Sequence, residues 1–333
     1  MSNKTLYLKQ VSKLFLLLTV IFFLLSCAGE TDVRKIKIGH GLDQSHPVHK
    51  SMVYMAEVAA KKSGGKIQIT VYPSQQLGTE RECLELLQIG SLGMTKVSSS
   101  VLEGFAPNFK VFSLPYIFKN DKHKFDFFES QLGKSLLSST EKFWLRGLCY
   151  YDAGSRSFYT KDKPILTPDD LTGLKIRTQE SPTSVKLVNA LGGSATPISW
   201  GELYTALQQG VVDGAENNPP SFYTSKHYEV CKYYSLDEHT SVPDVLLIST
   251  VIWDDLTDQE KQWIQEAADE SYQYEKELWR EATAKALEEV QKAGVKVYYP
   301  EKLLFEEKVK PLIEEFKEDK EIFNLIQKIK AIE

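Results

Sequence analysis

Arg177 is a residue whose type and place could do chemistry, though alone it decides nothing. It follows the short run 174–176 in "LTGLKIRTQESPTS", residues 171–184. A run that short, after a glycine and before a polar segment, reads as a strand opening into a helix start. A guanidinium at such a junction suits a planar anion such as a carboxylate, and enzymes and receptors both use one. The sequence holds no partner set that would make it catalytic. G-x-S-x-G, H-E-x-x-H, Walker A and G-x-G-x-x-G are all absent. His46 and His49, three apart in "HPVH", could share a helical face and hold a metal, but they read as a helix start near solvent. The acidic pairs Asp169-Asp170 and Asp254-Asp255 read as helix N-terminal charge.

The elements that must position these residues alternate. "KIKIGHG" (35–41), "KIQITVYP" (66–73) and "GMTKVSS" (93–99) read as strands; residues 46–65 and 79–93 read as helices between them. Thr79 and Glu82 make a capping box, as do Ser199 with Glu202 and Thr257 with Glu260. This β-α-β-α-β order predicts a largely parallel sheet with ligands beyond its carboxyl ends, placing His40, Glu80 and Ser98 on one rim. The logic repeats after "YYDAGSRSFYT" (150–160), with helices at 181–193 and 199–210. From Asp258 to Ala293 no Pro or Gly interrupts. A helix of that length spans about 54 Å, which one lobe does not need and two lobes sharing it do.

The chain has 333 residues, enough for two α/β lobes, and its charge is well mixed. The first 26 residues carry Lys4, Lys9 and Lys13, no acid, and then "LFLLLTVIFFLL". Basic-then-apolar, too short to span a bilayer comfortably, is the order of a secretory signal. It ends in "LLSC", residues 24–27, which resembles a bacterial lipobox, so the expectation is cleavage before Cys27 and acylation there. Losing three lysines takes the formal charge from −5 to −8. A net acidic chain argues against nucleic acid as partner. Cys83, Cys149 and Cys231 lack metal-site spacing and read as small core hydrophobes, with one disulfide left open.

Four segments together carry a family likeness: "YPSQQLGTERECLELLQIGSL", "PDDLTGLKIRTQ", "ATPISWGELYTALQQGVVDGAENNPP" and "HYEVCKYYSL". The chain resembles the substrate-binding proteins of tripartite ATP-independent periplasmic (TRAP) transporters, dicarboxylate-binding type, from about residue 35 to the last helix. The resemblance implies an α/β fold of two periplasmic-binding-protein-like lobes, with a ligand cleft between them and a long helix crossing both. It implies that Arg177 makes a bidentate pair with a ligand carboxylate. Asn217, Arg156, Glu80, Trp200, His40 and Ser98 are the further ligand-binding candidates, while Glu216 and Asp213 read as scaffold. Two arginines facing an isolated Glu80 suit an acid end and several hydroxyls, so a uronate, glucuronate or galacturonate, is expected over a C4-dicarboxylate. The expected division is a signal peptide at 1–26, a linker at 27–34, lobe I at 35–154 with about 243–282, and lobe II at 155–242 with about 283–333. The expected role is uptake by a periplasmic, membrane-anchored lipoprotein that delivers its solute to TRAP membrane subunits, with no cofactor. A ligand-sensing lipoprotein and a secreted uronide-processing enzyme are the alternatives.

Overall fold

A computed structural model describes residues 33–332. The expected signal and lipobox, Cys27 included, lie outside the described residues. Among the described residues eleven strands form two sheets. They are β1 (Arg34–Gly39), β2 (Ile67–Tyr72), β3 (Met94–Ser98), β4 (Leu145–Tyr151), β5 (Arg156–Thr160), β6 (Lys175–Thr178), β7 (Ser194–Pro197), β8 (Gly214–Asn217), β9 (Tyr233–Thr240), β10 (Asp244–Ser249) and β11 (Lys296–Tyr298). The first sheet runs β2-β1-β3-β10-β4 and the second β11-β9-β5-β8-β6-β7.

The strands read from 35–99 run parallel as expected, and each sheet carries one antiparallel strand besides, so both are mixed. β1 pairs in parallel with β2 and β3, through the expected crossover helices Pro47–Lys62 and Glu80–Gln88. β10 then enters between β3 and β4, antiparallel to both. It arrives from the other sheet, so it runs opposite to strands whose crossovers began in the first. In the second sheet β6 is parallel to β7 and β8, while β5 is antiparallel to β8 and β9. Two short connections join the sheets, 152–155 between β4 and β5 and 241–243 between β9 and β10.

The helix Asp258–Lys292 has 35 residues, close to expectation, and Thr257 and Glu260 form its capping box. It packs on the helix Pro47–Lys62 of the first sheet and on Pro219–Thr224 of the second. The box at Thr79 and Glu82 is present as well. The one expected at Ser199 is not: Trp200–Glu202 form a 3₁₀ turn with no side-chain cap, and the α-helix starts only at Leu203. The helix Lys302–Glu315 packs against Pro182–Ala190 and β9, whereas Lys320–Lys330 returns to the first sheet's side, where His123 Nε2 donates to the Ile329 carbonyl at 2.8 Å.

One core runs from the first sheet across to Phe158 of β5 and Ile176 of β6, and a smaller one packs on the rest of the second sheet. Ile38, Met52, Met55, Leu84 and Met94 are sealed in the first core, and Tyr159, Leu207, Phe222 and Tyr234 in the second. Full burial of side chains of this size contributes about 1.5–3 kcal/mol each. Cys83, Cys149 and Cys231 are free thiols within these cores.

Candidate ligand-binding cleft

A cavity lies between the sheets. Its floor is Ala153 and Val242, from the two connections, and Trp279 of the long helix. The floor fixes Gly154: its φ is +56°, and a Cβ there would fall 3.0 Å from Trp279 Nε1.

The second sheet supplies one wall, with Arg177, Arg156, Asn217, Gln179 and Trp200. Arg177 stands on β6, 2% exposed. Its Nε donates to the Ile198 carbonyl at 2.9 Å, and its guanidinium lies 5.7 Å from the Trp200 ring centroid. Its buried Nη1 has no partner. Burial lowers the Arg177 pKa from its ordinary value, though a guanidinium remains a cation. Gln179 Oε1 on this wall and Gln75 Nε2 on the facing one are likewise buried without partners. Native interiors rarely leave such groups unpaired, and these three atoms all belong to residues that line the cavity.

Arg156 is different. It lines the cavity, but its Nε and Nη2 go to the Glu216 carboxylate, and Nη2 also reaches the Glu216 carbonyl at 2.7 Å. Burial would raise the Glu216 pKa, yet Arg156 and His239 overcome this and hold it at about 2. The remaining Nη1 donates to Asn217 Oδ1 at 2.8 Å. Asn218 donates twice more to that oxygen. The Asn217 amide is therefore fixed with its oxygen occupied and its N–H donors left for the cavity. Asp213, read as scaffold, accepts from the Lys175 amide at 2.8 Å.

The first sheet supplies the facing wall, with Gln75, Glu80, Lys96, Ser98 and, at the start of β10, Asp244. Glu80 is not isolated, as the sequence reading had it. Its Oε1 accepts from Lys96 Nζ at 3.1 Å and from the Ser98 amide at 3.3 Å. Lys96 also pairs with Asp244 at 3.1 Å. Burial alone would lower the Lys96 pKa, but Asp244 and Glu80 together raise it. Two carboxylates against one ammonium leave this wall with one net negative charge. Nothing in the sequence marked Asp244, Gln75 or Gln179. Lys96 was visible as a lone cation inside the wholly buried strand β3.

His40 does not line the cavity. Its Nδ1 accepts from the Leu42 amide at 3.1 Å, so its Nε2 donates to His49 Nδ1 at 3.0 Å. His46 was expected near solvent and is instead buried in the cavity wall. Its ring caps the helix by accepting from Val48, leaving Nε2–H to donate to Ser221 Oγ of the opposite lobe at 3.1 Å. Burial lowers its pKa to about 3, with Lys96 adding to the shift. Among the described residues no group of His, Cys, Asp or Glu could hold a metal ion.

Glu103 bridges the lobes beside the cavity. It accepts from Ser181 Oγ at 2.6 Å and from Thr183 Oγ1 at 2.7 Å.

Comparison with known proteins agrees with this architecture. Residues 38–319 match the DctP model, "Bacterial extracellular solute-binding protein, family 7". The C4-dicarboxylate-binding periplasmic protein DctP of Rhodobacter capsulatus is 34% identical over 260 residues, 77% of each chain. A TRAP periplasmic solute-binding protein from Xanthobacter autotrophicus Py2, solved with bound β-D-galacturonate, superposes with a TM-score of 0.87 at 36% identity, covering 90% of this chain and all of that one. Another, from Anaerococcus prevotii with bound α/β-D-glucuronate, gives 0.87 at 36% identity, covering 90% and 98%. On these matches, which fit the two-sheet cleft, the chain belongs to the DctP family of extracellular solute-binding proteins, the binding components of TRAP transporters and not enzymes.

Proposed function

We propose that this protein captures a hexuronate, glucuronate or galacturonate, and delivers it to the membrane subunits of a TRAP transporter. The observation that carries the reading is Arg177 Nη1, buried at the cavity wall without a partner. A ligand carboxylate there would accept from the guanidinium fork and from the Asn217 amide, with Trp200 beside it. Arg156 acts at one remove, by fixing Asn217. The sugar hydroxyls would then point at Glu80, Asp244, Gln75 and Ser98. A second carboxylate at that net-negative wall would be repelled, whereas hydroxyl donors would be bonded, which favours a sugar acid over succinate. His40 supports the rim from behind.

Lobe I comprises the first sheet with residues to about 154 and from about 243 to 282; lobe II comprises the second sheet. The tail from 283 belongs to lobe II only as far as helix Lys302–Glu315. Helix Lys320–Lys330 is assigned to lobe I on its contacts with 107–113 and His123. Ligand closes the lobes about the two connections. The chain is held at the membrane by acyl groups on Cys27, and Cys27→Ser should release it from membranes of the expressing cell. Unchanged membrane association would sink that part of the reading.

Titration of Arg177→Ala by calorimetry tests the clamp. Breaking one side of a buried ion pair costs about 3–5 kcal/mol, roughly a hundredfold to several thousandfold in affinity. Arg177→Lys should also weaken binding clearly, since it loses the planar fork. Binding of the best uronate within about threefold of wild type by Arg177→Ala would refute the clamp.

A further inference from the structure

The two ends of the first sheet differ. One end, with Gly39, Ser98 and Asp244, meets the cleft. At the other, where β1, β3 and β4 begin and β10 finishes, three large apolar side chains stand in solvent: Ile89, Trp144 and Val251, 70%, 61% and 50% exposed. They form one surface. A Cβ on Gly90 would lie 2.9 Å from Val251 Cγ1, the Thr250 amide donates to the Trp144 carbonyl at 3.5 Å, and the Gln88 side chain donates to the Phe143 carbonyl at 3.0 Å. Trp144 also holds φ +59°, a backbone state costly for a bulky residue, while its ring gains little burial in return. Several charges around this surface are spent on one another. Arg34 pairs with Asp255 and Glu260, and Arg146 pairs with Glu141 while lying 4.4 Å from the Trp253 ring centroid. The surface is aromatic and aliphatic, and is not a site for a charged ligand.

The chain enters the fold at this same end. Arg34 opens β1, and its guanidinium is bonded to Asp255, which follows the helix carrying Val251. Seven residue steps separate Arg34 from Cys27, a reach of at most about 25 Å when fully extended.

We propose that this pole of lobe I rests on the lipid bilayer, with Trp144, Ile89 and Val251 seated in the headgroup–acyl boundary. The inference depends on the acylated-Cys27 reading above. Three side chains would not recruit the protein from dilute solution. A short tether makes their insertion an intramolecular event at high effective concentration, and tryptophan, apolar in body and polar at one edge, suits that boundary. The cleft opens at the far end of the same strands, so the bilayer contact leaves it about one strand length, ~20 Å, from the lipid.

The buried state of Cys83, Cys149 and Cys231 allows a direct test. In the mature full chain a maleimide-bearing lipid couples at Cys27, and the product is reconstituted into neutral phosphatidylcholine vesicles brominated on the acyl chains. The Trp144 signal is the emission difference between the wild type and Trp144→Asn, asparagine being tolerant of positive φ. Most of that difference should be quenched by the bromines. Quenching should disappear when Ile89→Asp and Val251→Asp are combined. Full Trp144 emission in the coupled protein overturns the proposal and leaves the acylation reading standing. Acylation is checked separately, by the mass of the N-terminal peptide from the expressing cell; an unmodified Cys27 there overturns both.

Discussion

Two buried arginines flank strand β8, Arg156 on β5 and Arg177 on β6, 4% and 2% exposed. Accessibility does not separate them; their partners do. Arg156 has every guanidinium nitrogen bonded, two of them to Glu216. Arg177 has one bond to a backbone carbonyl and a bare Nη1. The first is a closed network inside one lobe, the pattern of a supporting group. The second is a desolvated cation whose stabilisation is incomplete without something brought in from outside. Burial of a charge therefore says that it matters, and its hydrogen-bond inventory says to what.

The largest effect expected comes from exchanging these roles. Arg156→Ala leaves Glu216 buried with only His239 near it, at 3.7 Å. Removing one partner of a buried pair costs about 3–5 kcal/mol, and here the cost falls on folding. Thermal unfolding of the unliganded protein should drop by many degrees for Arg156→Ala and stay close to wild type for Arg177→Ala. If instead Arg177→Ala unfolds the protein and Arg156→Ala does not, the scaffold and ligand assignments are reversed.

What the sequence disclosed divides along the same line. Apolar spacing, glycine stops and the capping boxes at Thr79 and Thr257 follow local rules, and the strands and helices they mark are present within a few residues. Arg177 was legible because a cation follows directly on a strand signal. Lys96 was overlooked since its meaning depends on Asp244, about 150 residues away, and on a strand order that no local pattern carries. The antiparallel strand inside the first sheet was illegible for the same cause: the direction of β10 is fixed by the chain's return from the second sheet. His46 misled because a proline-preceding histidine reads as an exposed helix start, whereas distant groups bury it, Ser221 of the opposite lobe and the Trp279 ring of the long helix.

The next effect in size is acid sensitivity. Burial lowers His40 to about 2 and His46 and His227 to about 3, from 6.5 in the unfolded chain. Their folded values lie below the unfolded one, so the unfolded chain takes up protons first as pH drops. The stability they contribute is present above 6.5 and is lost progressively below it. Glu275 works the other way: burial raises it well above 4.5, so its cost at neutral pH shrinks on acidification. Three histidines against one carboxyl leave a net loss of stability as pH falls below 6.5. Melting temperature should fall over that interval. It should fall again from about pH 6.5 toward 9, as His239 loses the proton that Asp237 and Glu216 hold against the effect of burial, with a pKa of about 9. A melting temperature flat from pH 7 to 5 would mean that these histidines are not held neutral in the fold.

The smallest effect expected probes closure itself. Glu103 does not line the cavity, yet it accepts from Ser181 and Thr183 at the start of helix Pro182–Ala190, across the lobe boundary. A carboxylate there gains two hydroxyl bonds, an amide bond at 3.3 Å and the favourable end of the helix dipole. None of these survives opening, when Glu103 and the two hydroxyls return to water. The contact therefore stabilises the closed state alone, and ligand affinity measures it, because binding includes closure. Hydrogen bonds to a charged group contribute about 1.5–3 kcal/mol, so Glu103→Ala should weaken binding by roughly tenfold to a hundredfold. The loss should be the same for glucuronate, galacturonate and succinate, since the side chain touches none of them, whereas Glu80→Gln should penalise the uronates more than succinate. Small-angle scattering at saturating ligand should still show Glu103→Ala compacted. An affinity within about threefold of wild type, or a loss that depends on which acid is bound, would remove Glu103 from the closing mechanism.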